Sequence, residues 1–559
     1  MNLAQANHPA DLRLIERSAA IPYTGGKAIL GGFGGNLLET GQFFHRNDSF
    51  YMLLAAELET STMSTQTRRE CLKSMASAAW MAGSSALLLS IASTGCSNRR
   101  PIPRTAATMD DAHTRWYRDA KFGLFIHWGA YSVAGVEASW PIMKPEWCPH
   151  SPPISEREYV ELPLRFNPTE YDPGGWVQTA KQAGMRYMVI TTKHHDGFCM
   201  FDAPGTDYKI TNTPYGKDVI ALLAAACHEQ QMPLGFYYSP PDMHHPGFRN
   251  TSKPARENWN GEPSRSRWSS YLDYMESHLR TLLTNYGPVA IIWFDGLFGV
   301  TKYNPPRFHK LIHDLSPNTL VNDRLGPGGD YVTPEQFFPD GIPIKPTEEP
   351  ADITPGAVDA IVGLSKILPQ KWFVSLIQSL AKKRYPTSPY PLPQDFQLWE
   401  ACMTMNDSWG YNPNDKNFKS PETLIRTLVE VASRGGNFLL NVGPTPQGTF
   451  PIEAQQRLQR FGEWMGTNGE SIYKTTYGPL QNLAIGRTTT KQGTIYLHLI
   501  DRAGARLDLP GIPGKVVSVS LLQGGRICAF EQSGDRLRID TSAVAPDAFI
   551  PVLAIRTIS

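Results

Sequence analysis

One pattern constrains this chain's fold more than any other. Between about residues 115 and 475, short apolar runs ending in polar residues alternate with stretches of helical period. The runs are KFGLFIHWG, RYMVITTKHHDGF, PLGFYYS, AIIWFDG, TLVNDR, FQLWEACMT and NFLLNVGP. Helical stretches lie between them at Trp176–Ala183, Asp218–Gln230, Arg267–Tyr286, Pro306–Leu315 and Pro421–Ser433, with a further one at Glu453–Thr467. Repeated βα units over such a length predict an α/β fold with a parallel sheet, specifically a (β/α)8-type (TIM-like) barrel. A doubly wound open sheet is the alternative. It would carry a glycine-rich phosphate turn after its first strand, and HWGAYS is not one.

The ends of these runs collect functional groups. His127, His194 and His195, Tyr237 and Tyr238, Asp295, Asp323 and Arg324, Glu400 and Asn441 all read as lying at or just past a strand's C-terminal end. In a barrel those ends converge on one face, where catalytic sites lie. One such residue could be a cap or a satisfied core group, but seven strands ending this way point to a site. Unpaired burial in the barrel interior would cost roughly 1–3 kcal/mol per group.

At 559 residues the chain is too long for one core. The barrel is expected over 110–475, interrupted by a proline-rich insertion at 337–395 read as lying on the active-site side, either a lid or a passive excursion. After Thr476, short alternating runs such as TIYLHLI and VVSVSLL predict a C-terminal antiparallel β-sandwich over 476–559, with packing against the barrel favoured over sugar binding. A formal net charge of +1 gives no electrostatic case for nucleic acid as a partner. Of seven cysteines, two fall before residue 100. The remaining five show no CxxC spacing, so neither a disulfide framework nor a zinc site is indicated, though one disulfide is open.

The first hundred residues stand apart. TQTRRECLK carries a twin-arginine pattern, followed by an apolar run rich in small residues and then STGCSN. Residues 63–100 are expected to be an export signal, with 1–62 an over-extended start or disordered leader. Cys96 follows small residues, as at a bacterial lipoprotein cleavage site, although Ser93 stands where Leu is usual. The alternative is an ordinary signal in which Cys96 is incidental. The expected location is periplasmic or cell-envelope.

Hydrolysis of a glycosidic bond needs two carboxyl groups across the anomeric carbon, one ionised and one protonated. Asp295, ending an apolar strand behind Trp293, suits the ionised partner. Glu335, in GDYVTPEQFF, suits a proton donor on a loop about one unit away, and Glu400 is its rival. His127, His194, His195, Asp196 and Asp295 also permit a metal-dependent hydrolase, although no HxH or HExxH spacing supports it. Adjacent His194 and His195 enter one site only if the chain turns at HHDG. A non-catalytic sugar-binding protein is the third reading.

Taken together, WYRDAKFGLFIHWG, PEWCPH, TTKHHDGFCMF, GFYYSP, WFDG, VNDR, GDYVTPEQ, WEACMT…WGYN and SRGGNFLLNVGPTPQG occur in order across about 115–475. This set resembles the α-L-fucosidases of glycoside hydrolase family 29. The resemblance implies an exo-acting retaining enzyme that acts on fucosylated oligosaccharides or glycoconjugates, with no metal or cofactor. It implies Asp295 as nucleophile and Glu335 as acid/base. Sugar contacts are implied for His127, Glu146, His194, His195, Tyr237 and Arg324, with Trp147 and Trp293 as apolar walls for the C5 methyl. Two stretches depart from the family pattern, PPDMHHPGF after GFYYS and the proline-rich insertion. Both bear on linkage preference rather than on the sugar.

Overall fold

The computed structural model describes residues 112–261, 265–296, 300–346, 379, 385–481, 483–501, 504–545 and 547–558. The expected leader, the export signal with Cys96 and the middle of the proline-rich insertion lie outside the described residues.

All seven apolar runs form strands. Helix α1 (Ala112–Ala120) leads into β1 (Phe122–Ile126), followed by α2 (Pro173–Gln182), β2 (Met188–Lys193), α3 (Val219–Glu229) and β3 (Leu234–Tyr238). Then come α4 (Arg265–Asn285), β4 (Ile291–Phe294), α5 (Pro305–Leu315), β5 (Leu320–Val321), β6 (Glu400–Thr404), α6 (Pro421–Ser433), β7 (Asn437–Val442) and α7 (Ile452–Asn468). Local chemistry sets where several helices begin. The side chains of Asp172, Asp218 and Ser420 accept the backbone N–H of Gly175, Ala221 and Thr423, so each caps a helix start. Proline occupies the first turn of α2 and α6, where its missing N–H costs nothing.

The strands pair in the order β5-β4-β3-β2-β1-β7-β6, all parallel. Every residue of these strands is buried, as a sheet wrapped by helices requires. The seam between β5 and β6 is bridged by an extended segment, Tyr331–Gln336. Asn322 pairs in parallel with Tyr331, Val332 with Trp399, and Glu335 with Cys402. Backbone bonds follow the same path, including Val332 N to Leu398 O at 3.0 Å and Gln336 N to Cys402 O at 2.9 Å. This segment takes the eighth strand position, and only a short 3-10 turn, Asp323–Leu325, separates it from β5. Glu335 is thus carried on the barrel wall, not on a loop beyond a further unit.

The described ends of the insertion correct a second expectation. Ile342–Pro343 pairs antiparallel with Thr387–Ser388, and Ile344 with Phe396. Phe338 lies against the guanidinium of Arg434, and Phe396 closes on Gly435. Both contacts sit just before β7 begins, the opposite end from Val442, which meets His127. Connecting the eighth segment to β6 requires the chain to return to the strands' starting end, so these parts of the insertion run away from the site.

Beyond the barrel, β8 (Thr476–Tyr477), β9 (Gly486–Lys491), β10 (Thr494–Leu499), β11 (Arg506–Leu509), β12 (Lys515–Leu521), β13 (Phe530–Ser533), β14 (Arg536–Asp540) and β15 (Val552–Ile558) form two antiparallel sheets. Their orders are β8-β9-β10-β15-β12 and β11-β14-β13. Leu497, Leu509, Val519, Leu537 and Ile555 belong to the core between them. The other face of the larger sheet joins the barrel core through Tyr496, Val552 and Ala554. Arg487 also pairs with Glu430 of α6 at 2.8 Å. The small domain packs on the barrel through this face. The five cysteines among the described residues are free and buried.

Candidate active site

Strand alternation decides which side chains face the barrel axis. In β1, Phe125 faces inward, its ring 5.1 Å from Trp293 and 6.0 Å from Tyr237, and His127 two residues on shares that face. In β4, Trp293 faces inward and Asp295 follows it in phase. Lys193 points outward to a buried pair with Asp242 at 3.3 Å, which puts His194 inside. His195 enters as well because the strand ends at Lys193 and the chain turns. At Gly197, φ is +86° and a Cβ would stand 2.2 Å from Asp242 Oδ1. The His194 and His195 rings lie 4.3 Å apart. The divergent stretch PPDMHHPGF therefore supplies, through Asp242, the anion behind the KHHDG turn.

Asp295 is the hub. Arg324 Nη1 donates to its Oδ1 at 2.9 Å, the Tyr237 hydroxyl donates to its Oδ2 at 2.8 Å, and His195 Nε2 lies 3.5 Å from Oδ2. Burial alone would raise this carboxyl. Arg324, His195 and the Tyr237 hydrogen bond outweigh burial and hold it below the usual aspartate range. Arg324 is the charge that persists at neutral pH, since burial pushes His195 itself down to about 4. The guanidinium is fixed by Nε to Thr333 Oγ1 at 2.9 Å and Nη2 to Thr333 O at 3.0 Å, and it lies 4.7 Å from the Trp293 ring.

The same Nη1 donates to Glu335 Oε2 at 2.7 Å. One nitrogen thus holds Asp295 Oδ1 and Glu335 Oε2 at 2.9 and 2.7 Å, so these two nearest oxygens are at most about 5.6 Å apart. Carboxyl groups about 5–5.5 Å apart characterise retaining glycosidases, whereas roughly 6.5–9.5 Å leaves room for the water of an inverting one. The Glu335 side chain is 41% exposed, open to a leaving group.

Glu400 is not where the sequence placed it. It is the first residue of β6, two residues before Cys402, which is paired with Glu335, and so lies about 6–7 Å lower in the barrel. It is fully buried and accepts from Tyr117 at 2.8 Å, Tyr187 at 2.5 Å and Trp293 Nε1 at 3.0 Å. Burial pushes its carboxyl up while these three donors oppose it. Its chemistry is structural: it anchors Trp293 from below and satisfies two tyrosines that would otherwise be orphaned at about 1–3 kcal/mol each.

Glu146 has a 42% exposed side chain 3.8 Å from Lys144. Trp147 packs at a tilt against Trp140 at 5.1 Å, and Trp140 meets His195 at 5.6 Å. Trp293 is 1% exposed, covered by Tyr237 and Arg324, and so forms a floor. Half-buried Trp409 packs 4.8 Å from the His127 ring. Trp140 and Trp409 are the indole rings packed beside His195 and His127. The only sequence signal for Trp409 was its place in the quoted WGYN. Nothing announced Glu137, whose two carboxylate oxygens accept from Trp409 N at 2.8 and 2.9 Å and whose carboxyl burial raises to about 8.

Ligand atoms of His194, His195 and Asp295 lie within 4.8 Å of one another, close enough to raise the metal reading. Their other partners argue against it. Arg324 sits on Asp295, where a second cation would be repelled, and both carboxylate oxygens already accept hydrogen bonds.

Comparison with known proteins agrees with this geometry. The family model described as α-L-fucosidase matches residues 91–354 and 371–470, well over half the chain.

The chain belongs to the α-L-fucosidase family.

It is accordingly a glycoside hydrolase. Plasma α-L-fucosidase of Rattus norvegicus is 26% identical over 409 residues, covering 69% of this chain and 73% of that protein. The plasma enzyme of Homo sapiens is 27% identical, covering 66% and 70%. Among solved structures, α-L-fucosidase isoenzyme 1 from Paenibacillus thiaminolyticus is 32% identical with a TM-score of 0.65, covering 80% of this chain and 99% of that one. The α-fucosidase of Thermotoga maritima is 26% identical with a TM-score of 0.58, covering 79% and 96%.

Proposed function

We propose that this α-L-fucosidase is exo-acting and retaining, releasing terminal α-L-fucose from fucosylated oligosaccharides or glycoconjugates by double displacement. Asp295 attacks the anomeric carbon while Glu335 gives its proton to the departing glycosidic oxygen, leaving a fucosyl ester on Asp295. Glu335, now ionised, takes a proton from water as that water displaces Asp295, which leaves as the carboxylate. The observation that carries this reading is the single Arg324 nitrogen between the two carboxyls. It stabilises Asp295 as the ionised nucleophile. Once Asp295 is esterified, the same nitrogen has only the Glu335 carboxylate to pair with, as the base step needs. The apolar edges of Trp140 and Trp409 beside a polar histidine cluster suit a sugar that has a methyl group in place of a hydroxymethyl.

An aryl α-L-fucoside is expected to be hydrolysed at an unchanged rate after EDTA treatment, with α-fucose as the first-formed anomer by NMR. Loss of turnover in chelator would revive the metal reading, and no turnover on any α-L-fucoside would favour a binding protein.

The twin-arginine pattern at Arg68–Arg69 and the small residues before Cys96 support export to the cell envelope with a lipid anchor. The chain should then partition with membranes and Cys96→Ser should not. Equal partitioning of both would remove the anchor from this reading.

A further inference from the structure

We propose that Ser139 and Ser239 are positioning residues that fix opposite tautomers in His194 and His195, so that the sugar meets one imidazole N–H donor and one imidazole acceptor side by side. The inference rests on the reading of this pocket as the fucose site.

The argument is a count of hydrogens. Ser239 Oγ has one, and it is committed to the carbonyl of Pro241 at 2.8 Å, since a carbonyl only accepts. Ser239 Oγ also lies 2.6 Å from His195 Nδ1. That contact is a hydrogen bond only if His195 Nδ1 carries the proton. The unprotonated nitrogen of neutral His195 is then Nε2.

Ser139 has the reverse arrangement. Its Oγ accepts the backbone N–H of Asp196 at 2.8 Å and lies 2.6 Å from His194 Nδ1. Ser139 is fully buried, and among the described residues its Oγ is bonded only to Asp196 N and His194 Nδ1. Its hydroxyl hydrogen is satisfied only by donation to His194 Nδ1, which puts the proton of neutral His194 on Nε2. His127 follows the His195 pattern. Asn441 Nδ2 donates to Trp409 O at 2.7 Å, which orients the amide so that Oδ1 accepts from His127 Nδ1 at 2.8 Å.

Neutrality is consistent with the surroundings. Burial pushes His127 and His195 down to about 4 and holds His194 well below the usual histidine range, and the nearby Arg324 and Lys193 oppose their protonation. A second observation points to a ligand. His195 Nε2 is buried without a hydrogen-bond partner, 3.5 Å from a carboxylate oxygen that cannot donate to it. A lone pair facing a carboxylate is unfavourable until a donor fills the gap, and a sugar hydroxyl supplies one. The pocket thus asks the sugar for hydroxyls that donate to His127 and His195 and for one that accepts from His194. Each hydroxyl is read by hydrogen polarity as well as position.

The test is long-range ¹H–¹⁵N correlation NMR on the full chain with ¹⁵N-labelled histidine at neutral pH, each ring assigned by single His→Gln variants. His194 is expected as the Nε2–H tautomer, and His195 and His127 as Nδ1–H tautomers. Ser139→Ala and Ser239→Ala should each disturb only the tautomer signature of its own histidine. Each should also lower kcat/KM roughly tenfold, the loss of about one neutral hydrogen bond's worth of orientation. Threonine at either position should restore both readouts. The same tautomer in His194 and His195, or a doubly protonated His195, would overturn the proposal, and so would serine variants that lose activity with both tautomers intact. The NMR readout needs no turnover. If the tautomers appear but no fucoside is cleaved, the functional reading fails while the tautomer assignment stands.

Discussion

Asp295→Gly is expected to lower kcat on an aryl α-L-fucoside by roughly three to five orders of magnitude, about 4–7 kcal/mol of transition-state stabilisation at 1.36 kcal/mol per decade. The loss falls on kcat because the bond Asp295 makes to the anomeric carbon exists only along the reaction path. Folding should be little affected. Asp295 lies past the end of β4, and its partners Arg324 and Tyr237 keep other support, Arg324 from Thr333 and Tyr237 from its stacking on Trp293. Azide should restore turnover only as the inverted glycosyl azide, since the small anion occupies the vacated side of the sugar. Restoration with a retained product would place the nucleophile elsewhere.

Glu335→Ala should show a different signature. Natural fucosides, whose leaving alcohol must be protonated, are expected to lose roughly 10²–10⁴-fold in kcat/KM. Fucosides of strongly acidic phenols should lose far less, because their departure needs little help. Glu400→Gln provides the contrast. It leaves Tyr117, Tyr187 and Trp293 with a poorer set of acceptors, so its effect should be uniform across leaving groups and accompanied by a lower melting temperature. If Glu400 instead showed the leaving-group dependence, the acid/base assignment would move to it.

The barrel was legible because burial on both faces leaves an unbroken apolar run, and seven such runs became seven strands. Asp295 and the histidines were legible because a polar residue closing such a run has few other places to be. Height within the barrel was not legible. Glu400 lies inside FQLWEACMT rather than at its end, and only the register with Trp399 and Cys402 shows it to be a floor residue. The eighth strand position was hidden because Tyr331–Gln336 is short, polar and separated from β5 by no α-helix, so it read as a loop. The ring beside His195 was not legible for a related reason. Tryptophans cluster at 140 and 147, and sequence proximity cannot say which one faces His195; the turn through Ser139 decides it for Trp140. Glu137 gave no signal because its function lies in a contact with Trp409, 272 residues away.

The central claim is that Asp295 becomes covalently attached to the sugar, and the most direct test is to trap that ester. A fucoside carrying fluorine at C2 and a good leaving group slows both steps, the second more once the activated leaving group has gone, so the intermediate accumulates. Mass spectrometry of the digested adduct should find one fluorofucosyl unit on the peptide containing Ile291–Gly296, with fragmentation placing it on Asp295. A label on another carboxyl, or stoichiometric turnover that gives the inverted sugar with no adduct, would contradict the account.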